Sequence, residues 1–382
     1  MSCHAVGVPR PSSLRVALDA TPLIGVRTGV GEFVFHALEA LTAHPELELR
    51  AFALTWRGRG ELRTLLPKGV HRMRRPMVAR PLRMAWQRMD APVIERWTGR
   101  IDVVHGTNFV VPPSRRAARV VTIHDLTPVR FPELCTPATL AYPDLLRRAI
   151  AGGAWVHTPS AFVADEVVEL LGARPERVVT VASGVPAVVA ADPSAGRRMA
   201  GSDRYILTVG TIEPRKDHAA LVRAFDRVAD RDDDLHLVVA GVDGWAIDTF
   251  GAEVRRARHR DRVVRLGYVD EVARAALLRG AAVFAFPSRY EGFGFPPLEA
   301  MEAGLPVVAT AVGSLPEVLG DAALFVPPDD EEALADALER VLSDDALQTR
   351  LMKAGRNQVA AYSWKACAEG LVDLYERAGS TS

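Results

Sequence analysis

Two glutamates eight positions apart, Glu291 and Glu299, bracket a loop that reads Glu-Gly-Phe-Gly-Phe-Pro-Pro-Leu-Glu. Pro296 and Pro297 mark the start of a helix, because proline is tolerated in the first helical turn. Gly292 and Gly294, with Phe293 between them, leave backbone N–H groups unobstructed at that positive helix end, a seat for phosphate. Carboxylates next to such a seat make electrostatic sense when they accept hydroxyls, and vicinal hydroxyls beside a phosphate describe a nucleotide sugar. A plainer reading places Glu299 in the first helical turn, complementing the helix dipole. That explains one carboxylate and leaves the rest of the loop without a purpose.

Three other segments carry chemistry. Gly210-Thr211-Ile212-Glu213-Pro214-Arg215-Lys216 holds one of only four lysines in a chain with forty-three arginines. A guanidinium fork beside a point charge at the start of a helix suits a diphosphate, although a solvated charged turn has the same composition. Thr122-Ile123-His124-Asp125-Leu126 ends a strand on a histidine that can donate to a substrate hydroxyl or to developing charge, or can simply hold its own loop. Thr28-Gly29-Val30-Gly31 stands directly before a helical stretch from Glu32 to Leu41, either as a close backbone approach for an anion or sugar or as a tight turn.

Most of these segments follow runs that read as strands, and ligands of open parallel sheets bind beyond the carboxyl ends of strands. The runs are Arg15 to Asp19, Leu49 to Leu54, Asp102 to His105, Val120 to His124, Val156 to Thr158 and Val178 to Val181. Tyr205 to Val209, Leu235 to Ala240, Val263 to Leu266, Ala281 to Phe286, Pro306 to Ala309 and Ala322 to Val326 continue the series. They are apolar throughout, as strands buried on both faces are, and amphipathic stretches separate most of them. This is an α/β chain. The rhythm lapses over Pro186 to Asp203, where no apolar periodicity survives, so two doubly wound domains are expected, 1–185 and 205–362, joined by a linker at 186–204. A last helix over 363–382 has no strand after it, and spacing leaves open whether it returns to the first domain.

A chain of 382 residues, 48% hydrophobic and 25% charged, is long enough for two cores and excludes disordered, collagenous and disulfide-scaffold classes. Forty-seven basic and forty-seven acidic residues give no global charge that would recruit nucleic acid. Cys3, Cys135 and Cys367 are odd in number, widely spaced and without histidines at ligand spacing, so no metal site is expected. With no apolar stretch of signal-peptide or membrane-span length, a reducing cytoplasm is the simplest home.

Glu291 to Glu299 resembles the Glu-x7-Glu signature of the retaining glycosyltransferases of the group 1 type, which have the GT-B fold. Met301-Glu302-Ala303-Gly304-Leu305-Pro306-Val307-Val308-Ala309 and Gly313-Ser314-Leu315-Pro316-Glu317 continue the likeness. The Gly210 to Lys216 segment is similar to the family's diphosphate-binding stretch. His124-Asp125-Leu126 with Phe131-Pro132-Glu133 is similar to its acceptor-side histidine loop, and together the motifs span about Arg15 to Ala378. The resemblance implies two Rossmann-like domains facing each other across a cleft, the first binding acceptor and the second binding the nucleotide sugar. Glu299 would hold the donor's ribose hydroxyls. Glu291 would face the donor sugar and its phosphates, together with the N–H groups of Gly292, Phe293 and Gly294. Arg215 and Lys216 would neutralise the leaving diphosphate, His124 would contact the transferred sugar, and Gly29, Gly31, Gly210 and Thr211 would line the diphosphate.

It implies transfer with retention, without a metal or other cofactor, and an alanine at Glu291 or Lys216 that stops turnover and leaves the fold intact. Thr211 departs from the arginine many members place there, and this variant is familiar in mannosyl- and hexosyltransferases of polysaccharide assembly, which favours GDP-mannose as donor. A catalytically silent nucleotide-sugar sensor on the same fold is the alternative, against which the joint presence of His124, Arg215, Lys216, Glu291 and Glu299 argues.

One further stretch is distinctive: residues 57–100 hold twelve basic residues against three acidic ones, a local charge of +9, interleaved with Met77, Leu82, Met84, Trp86, Met89 and Trp97. Either the apolar side chains meet an anionic membrane beneath a cationic rim, placing the protein peripherally on the inner face of the plasma membrane with a polyprenyl- or other lipid-linked acceptor, or they pack inward and leave the arginines solvated.

Overall fold

The computed structural model describes residues 13–56 and 58–380; Cys3 and Arg57, the first of the twelve basic residues in 57–100, lie outside them. The strands are β1 (Leu14–Asp19), β2 (Leu47–Phe52), β3 (His71–Arg72), β4 (Val103–Gly106), β5 (Ala118–Thr122), β6 (Trp155–Thr158), β7 (Val178–Thr180), β8 (Arg204–Val209), β9 (Leu235–Ala240), β10 (Val263–Gly267), β11 (Val283–Phe286), β12 (Val307–Thr310) and β13 (Ala323–Val326). They form two sheets, ordered β3-β2-β1-β4-β5-β6-β7 and β10-β9-β8-β11-β12-β13. The paired strands run parallel throughout, for example Val16 opposite Val103 and Val283 opposite Ile206. Every residue of β4, β11 and β12 is buried, because helices cover both faces, and that is why the runs lack alternation. The strand order reverses between β1 and β4 in one sheet and between β8 and β11 in the other, so each domain has its own switch point.

Strand ends fall within a few residues of those expected from sequence. The stretch between the sheets differs more. Residues 186–203 contain a helix, Pro193–Ala200, whose first turn is capped by Asp192 accepting the Ser194 N–H at 2.9 Å. It lies against the helix Glu271–Gly280 through glycines in place of an apolar stripe. A Cβ on Gly196 would stand 2.2 Å from the Ala276 carbonyl oxygen. Packing by absence of side chains leaves no hydrophobic period to read.

The helix Trp364–Ser380 returns to the first domain and buries Cys367, Leu371, Leu374 and Tyr375 in its core. A polar chain fixes the docking. His157 Nε2 faces the Val181 carbonyl at 3.0 Å, so that nitrogen donates and Nδ1 accepts from the Thr122 hydroxyl at 2.9 Å. Thr122 therefore accepts from His105 Nε2 at 2.7 Å, and His105 Nδ1 accepts from the Tyr375 phenol at 2.7 Å. Burial holds both imidazoles neutral, with the His157 pKa pushed down to about 4 and that of His105 well below its ordinary value. Each group in the chain is paired, which is the condition for polar atoms to sit in a core without loss of stability.

The basic stretch is divided. Met77, Leu82 and Trp86 are buried in the first domain, Trp86 donating to the Pro92 carbonyl, whereas Met84 and Met89 remain more than half exposed. Of the two alternatives for this stretch, most of the apolar face thus follows the one that packs inward. Among the described residues, no helix is long and apolar enough to cross a membrane.

Candidate functional site

The carboxyl ends of β1, β5, β8 and β11 face a cavity of about 420 Å³ between the two sheets. Each switch point opens onto it, which is where parallel-sheet topology leaves loops free to bind.

The loop after β8 folds into a short turn, Pro214–Lys216, followed by Asp217 with φ of +46°. That strained conformation is fixed from two sides. Asp217 caps the helix His218–Val228 and accepts from Arg289 Nε at 2.8 Å. The turn aims both cations at one carboxylate. Lys216 Nζ lies 2.6 Å from Glu291 Oε1, and Arg215 Nη1 lies 2.8 Å from Glu291 Oε2. Arg215 also reaches Glu213 through Nη2 at 2.7 Å and the Tyr290 carbonyl through Nη1 at 2.8 Å. Burial opposes the charge on Glu291, but Arg215 and Lys216 overcome it and bring the carboxyl down to about 2. Burial lowers the Lys216 pKa as well, with Glu291 acting against it.

The glycines after Glu291 answer to geometry. A Cβ on Gly292 would sit 1.8 Å from the His124 carbonyl oxygen, so this loop and the histidine loop of the first domain touch backbone to backbone. Gly294, with φ of +105°, turns the chain into the helix Phe295–Glu302. Glu299 is the fifth residue of that helix, in its second turn instead of its first. The dipole reading therefore fails for it, since dipole effects fade within the first turn. It is 5% exposed, and its Oε2 lies 3.3 Å from Arg274 Nη1. Burial pushes its carboxyl up to about 7; Arg274 counters, while Glu32, from the first domain, and Glu271 add to the rise.

His124 Nε2 is 2.9 Å from the Thr107 carbonyl, which can only accept, so Nε2 carries the proton. Burial lowers its pKa, and the neutral ring presents Nδ1 as an acceptor. Of the alternatives the sequence leaves open, the structure shows the ring holding its own loop through Nε2, which leaves Nδ1 able to accept from a hydroxyl.

Gly29, His124, Gly210, Thr211, Arg215, Lys216, Glu291, Gly292, Phe293, Gly294 and Glu299 all line the cavity. Gly29 and Gly31 belong to the first turn of the helix Gly29–Leu41, which starts three residues earlier than expected. Gly31 is turned away from the cavity, and a Cβ there would meet the Pro22 carbonyl at 2.8 Å. Arg274, Glu32 and Tyr290 were not anticipated. Nothing in their spacing marks them, because each acts on a partner from a different element.

Residues 194–358 match the family Glycosyl transferases group 1, and residues 27–188 match Glycosyltransferase Family 4. O-antigen chain mannosyltransferase B of Escherichia coli is 28% identical over 95% of each chain. Among solved structures, sucrose-phosphate synthase from Thermosynechococcus elongatus superposes with a TM-score of 0.76 at 22% identity, covering 97% of this chain and 100% of that one. Anabaena HepE in complex with UDP and glucose gives 0.71 at 15% identity, over 94% and 98%. At these identities the two structures share the fold.

Proposed function

The chain belongs to the group 1 glycosyltransferases, hexosyl-transferring enzymes of GT-B architecture, and we propose that it moves mannose from GDP-mannose, with retention and without a metal, to a glycan or lipid-linked acceptor. The observation that carries this reading is the division of one cavity between a cationic end and a carboxylate end. Arg215, Lys216 and the glycine-opened start of the helix Phe295–Glu302 suit a diphosphate, and Glu299 suits ribose hydroxyls. The mannosyltransferase relative, matched over almost the whole chain, supports mannose as the sugar.

In the proposed reaction the anomeric carbon–phosphate bond breaks while the acceptor oxygen bonds to the same face of that carbon, and the acceptor proton passes to the departing phosphate oxygen. Arg215, Lys216 and the Gly292–Gly294 N–H groups stabilise the charge that develops on the diphosphate. His124 Nδ1 accepts from a hydroxyl of the transferred sugar, and Glu291 keeps the two cations in place.

A melting and nucleotide-release screen across GDP-mannose, UDP-glucose, UDP-GlcNAc, UDP-galactose and dTDP-rhamnose tests the donor, and the product's anomeric configuration tests retention. Stabilisation and release by GDP-mannose are expected. A stronger response to a uridine or thymidine donor would overturn the base and sugar, and stabilisation without release, even with acceptors added, would favour the silent sensor. Exposed Arg74 and Arg75, with Arg72, provide the cationic surface for a lipid-linked acceptor. Changing all three to Glu is expected to weaken salt-dependent binding to anionic vesicles, and unchanged partitioning would point to a soluble glycan.

A further inference from the structure

The phenol of Tyr290 points away from the donor cavity. It is 3% exposed and sits in the first domain, between the rings of Phe131 and Phe162 at centroid distances of 5.4 and 6.0 Å. Its hydroxyl donates to Glu166 Oε2 and accepts the Leu126 N–H at 3.0 Å. Glu166, itself buried, is held by Arg130 Nε at 2.8 Å on its other oxygen. The neighbours in sequence give this contact its meaning. Tyr290 precedes Glu291, and Leu126 follows His124 by two residues. Alongside it, the Ser160 hydroxyl donates to the Gly292 carbonyl at 2.8 Å, and Glu317 accepts the Ala161 and Phe162 N–H groups at 2.8 and 2.9 Å.

We propose that Tyr290 is a positioning residue: its hydroxyl, shared between Glu166 and the Leu126 N–H, sets the register of the Glu291 loop against the His124 loop and so brings the two halves of the reacting site into alignment. The backbone approach of Gly292 to His124 fixes how near the loops come, but a backbone contact of that kind tolerates sliding. One directional donor and one directional acceptor, both belonging to the other domain, do not. The ring supplies packing, and the hydroxyl supplies registration.

This rests on the glycosyl-transfer reading, so the test has an arm that needs no turnover. Tyr290→Phe keeps the ring and removes the hydroxyl. Hydrogen exchange at the Leu126 amide, measured ligand-free and with GDP or UDP, is expected to quicken in the variant about tenfold or more. With the donor and acceptor found by screening, kcat is expected to fall about 10- to 100-fold while the donor KM stays within about threefold, since a small misplacement of reacting groups costs rate more than binding. Glu166→Ala should reproduce both effects, Glu166→Gln, which keeps an accepting oxygen, should recover most of the rate, and the double variant should be no worse than either single one. Wild-type kcat together with an unchanged Leu126 exchange rate in Tyr290→Phe would overturn the proposal, as would additive losses in the double variant. A melting point lowered without the kcat-against-KM split would reduce Tyr290 to an ordinary interface contact. Should Tyr290→Phe fold poorly, the Glu166 pair decides. If no donor is turned over by the wild type, glycosyl transfer fails while the exchange arm still judges the registration.

Discussion

Glu291 and Glu299 belong to one loop-and-helix segment and are 6% and 5% exposed, yet their surroundings drive them in opposite directions. Two cations within 2.8 Å outweigh burial at Glu291 and hold it ionised down to about 2. At Glu299 a single guanidinium at 3.3 Å, opposed by Glu32 and Glu271, leaves burial dominant and the carboxyl near 7. What separates them is the number of compensating charges, since depth is the same. At the first end the Arg215 guanidinium and the Glu291 carboxylate keep their charges through the physiological range, so a fixed cation faces a departing diphosphate. The other end changes charge within that range and can accept from hydroxyls fully only when ionised.

The largest effects are expected at the fixed-charge end. Glu291→Ala and Lys216→Ala should each lower turnover by about 10³-fold, the scale of losing one preorganised charge partner of a transition state. The structure revises the expectation that both leave the fold intact. Removing Glu291 strands buried Lys216 with no other ion-pair partner among the described residues, a loss of about 3 kcal/mol or more, whereas removing Lys216 leaves Glu291 paired with Arg215. Urea unfolding at pH 7 separates the two, and equal midpoints would mean that the pair is not the buried unit described here. In acid the same carboxylate has a definite sign. With a folded pKa below its unfolded value, it contributes stability above about pH 4.5 that disappears as pH falls toward about 2.

Glu299 should show the reverse. Its folded pKa lies above the unfolded value, so the protein binds the extra proton in the folded state, and stability falls as pH rises from about 4.5 through about 7. The shift corresponds to about 3 kcal/mol at most. Glu299→Gln should therefore flatten this part of the stability curve and make the protein more stable than wild type at pH 8. Donor affinity should drop about 10- to 100-fold in the variant at that pH, because a hydrogen bond to a charged acceptor is lost. In the wild type, affinity should climb as pH passes through about 7 and then level off. A wild-type stability profile that rises between pH 5 and 8 at this site would erase the contrast between the two glutamates.

Sequence carried much of this molecule because its strongest signals are local. Twelve of the thirteen strands were legible as apolar runs, β3 being a two-residue polar strand; Lys216 stood out as a rare type, and Arg215, Glu291 and Glu299 through the unusual loops that carry them. The opposite behaviour of the two glutamates was invisible, since it depends on partners remote in the chain. Lys216 and Glu291 are separated by 75 positions, and Glu32 reaches Glu299 from the other domain. The helix Pro193–Ala200 escaped because its buried contact residues are only Gly196 and Ala200, and the cover over Met77, Leu82 and Trp86 stayed open because periodicity marks an apolar face without saying what covers it. Tyr290 stands one position before the motif, and its partner Glu166 lies 124 positions away.

The smallest effects should come from the charges that set Glu299 without touching Glu291. Arg274 holds the Glu299 carboxyl down and Glu32 lifts it, so their removal should move the pH midpoint of donor affinity in opposite directions. Arg274→Gln is expected to raise that midpoint by roughly one unit, since it deletes the opposing charge in contact. Glu32→Gln is expected to lower it by less, because Glu32 makes no hydrogen bond or ion pair with Glu299 and its own carboxylate is engaged by Arg27 at 3.5 Å. Binding measured by calorimetry from pH 5.5 to 8.5 on the two variants resolves the signs. Midpoints moving the same way would show that the cleft's hydroxyl-binding end is governed by something other than the balance of one cation against two carboxylates.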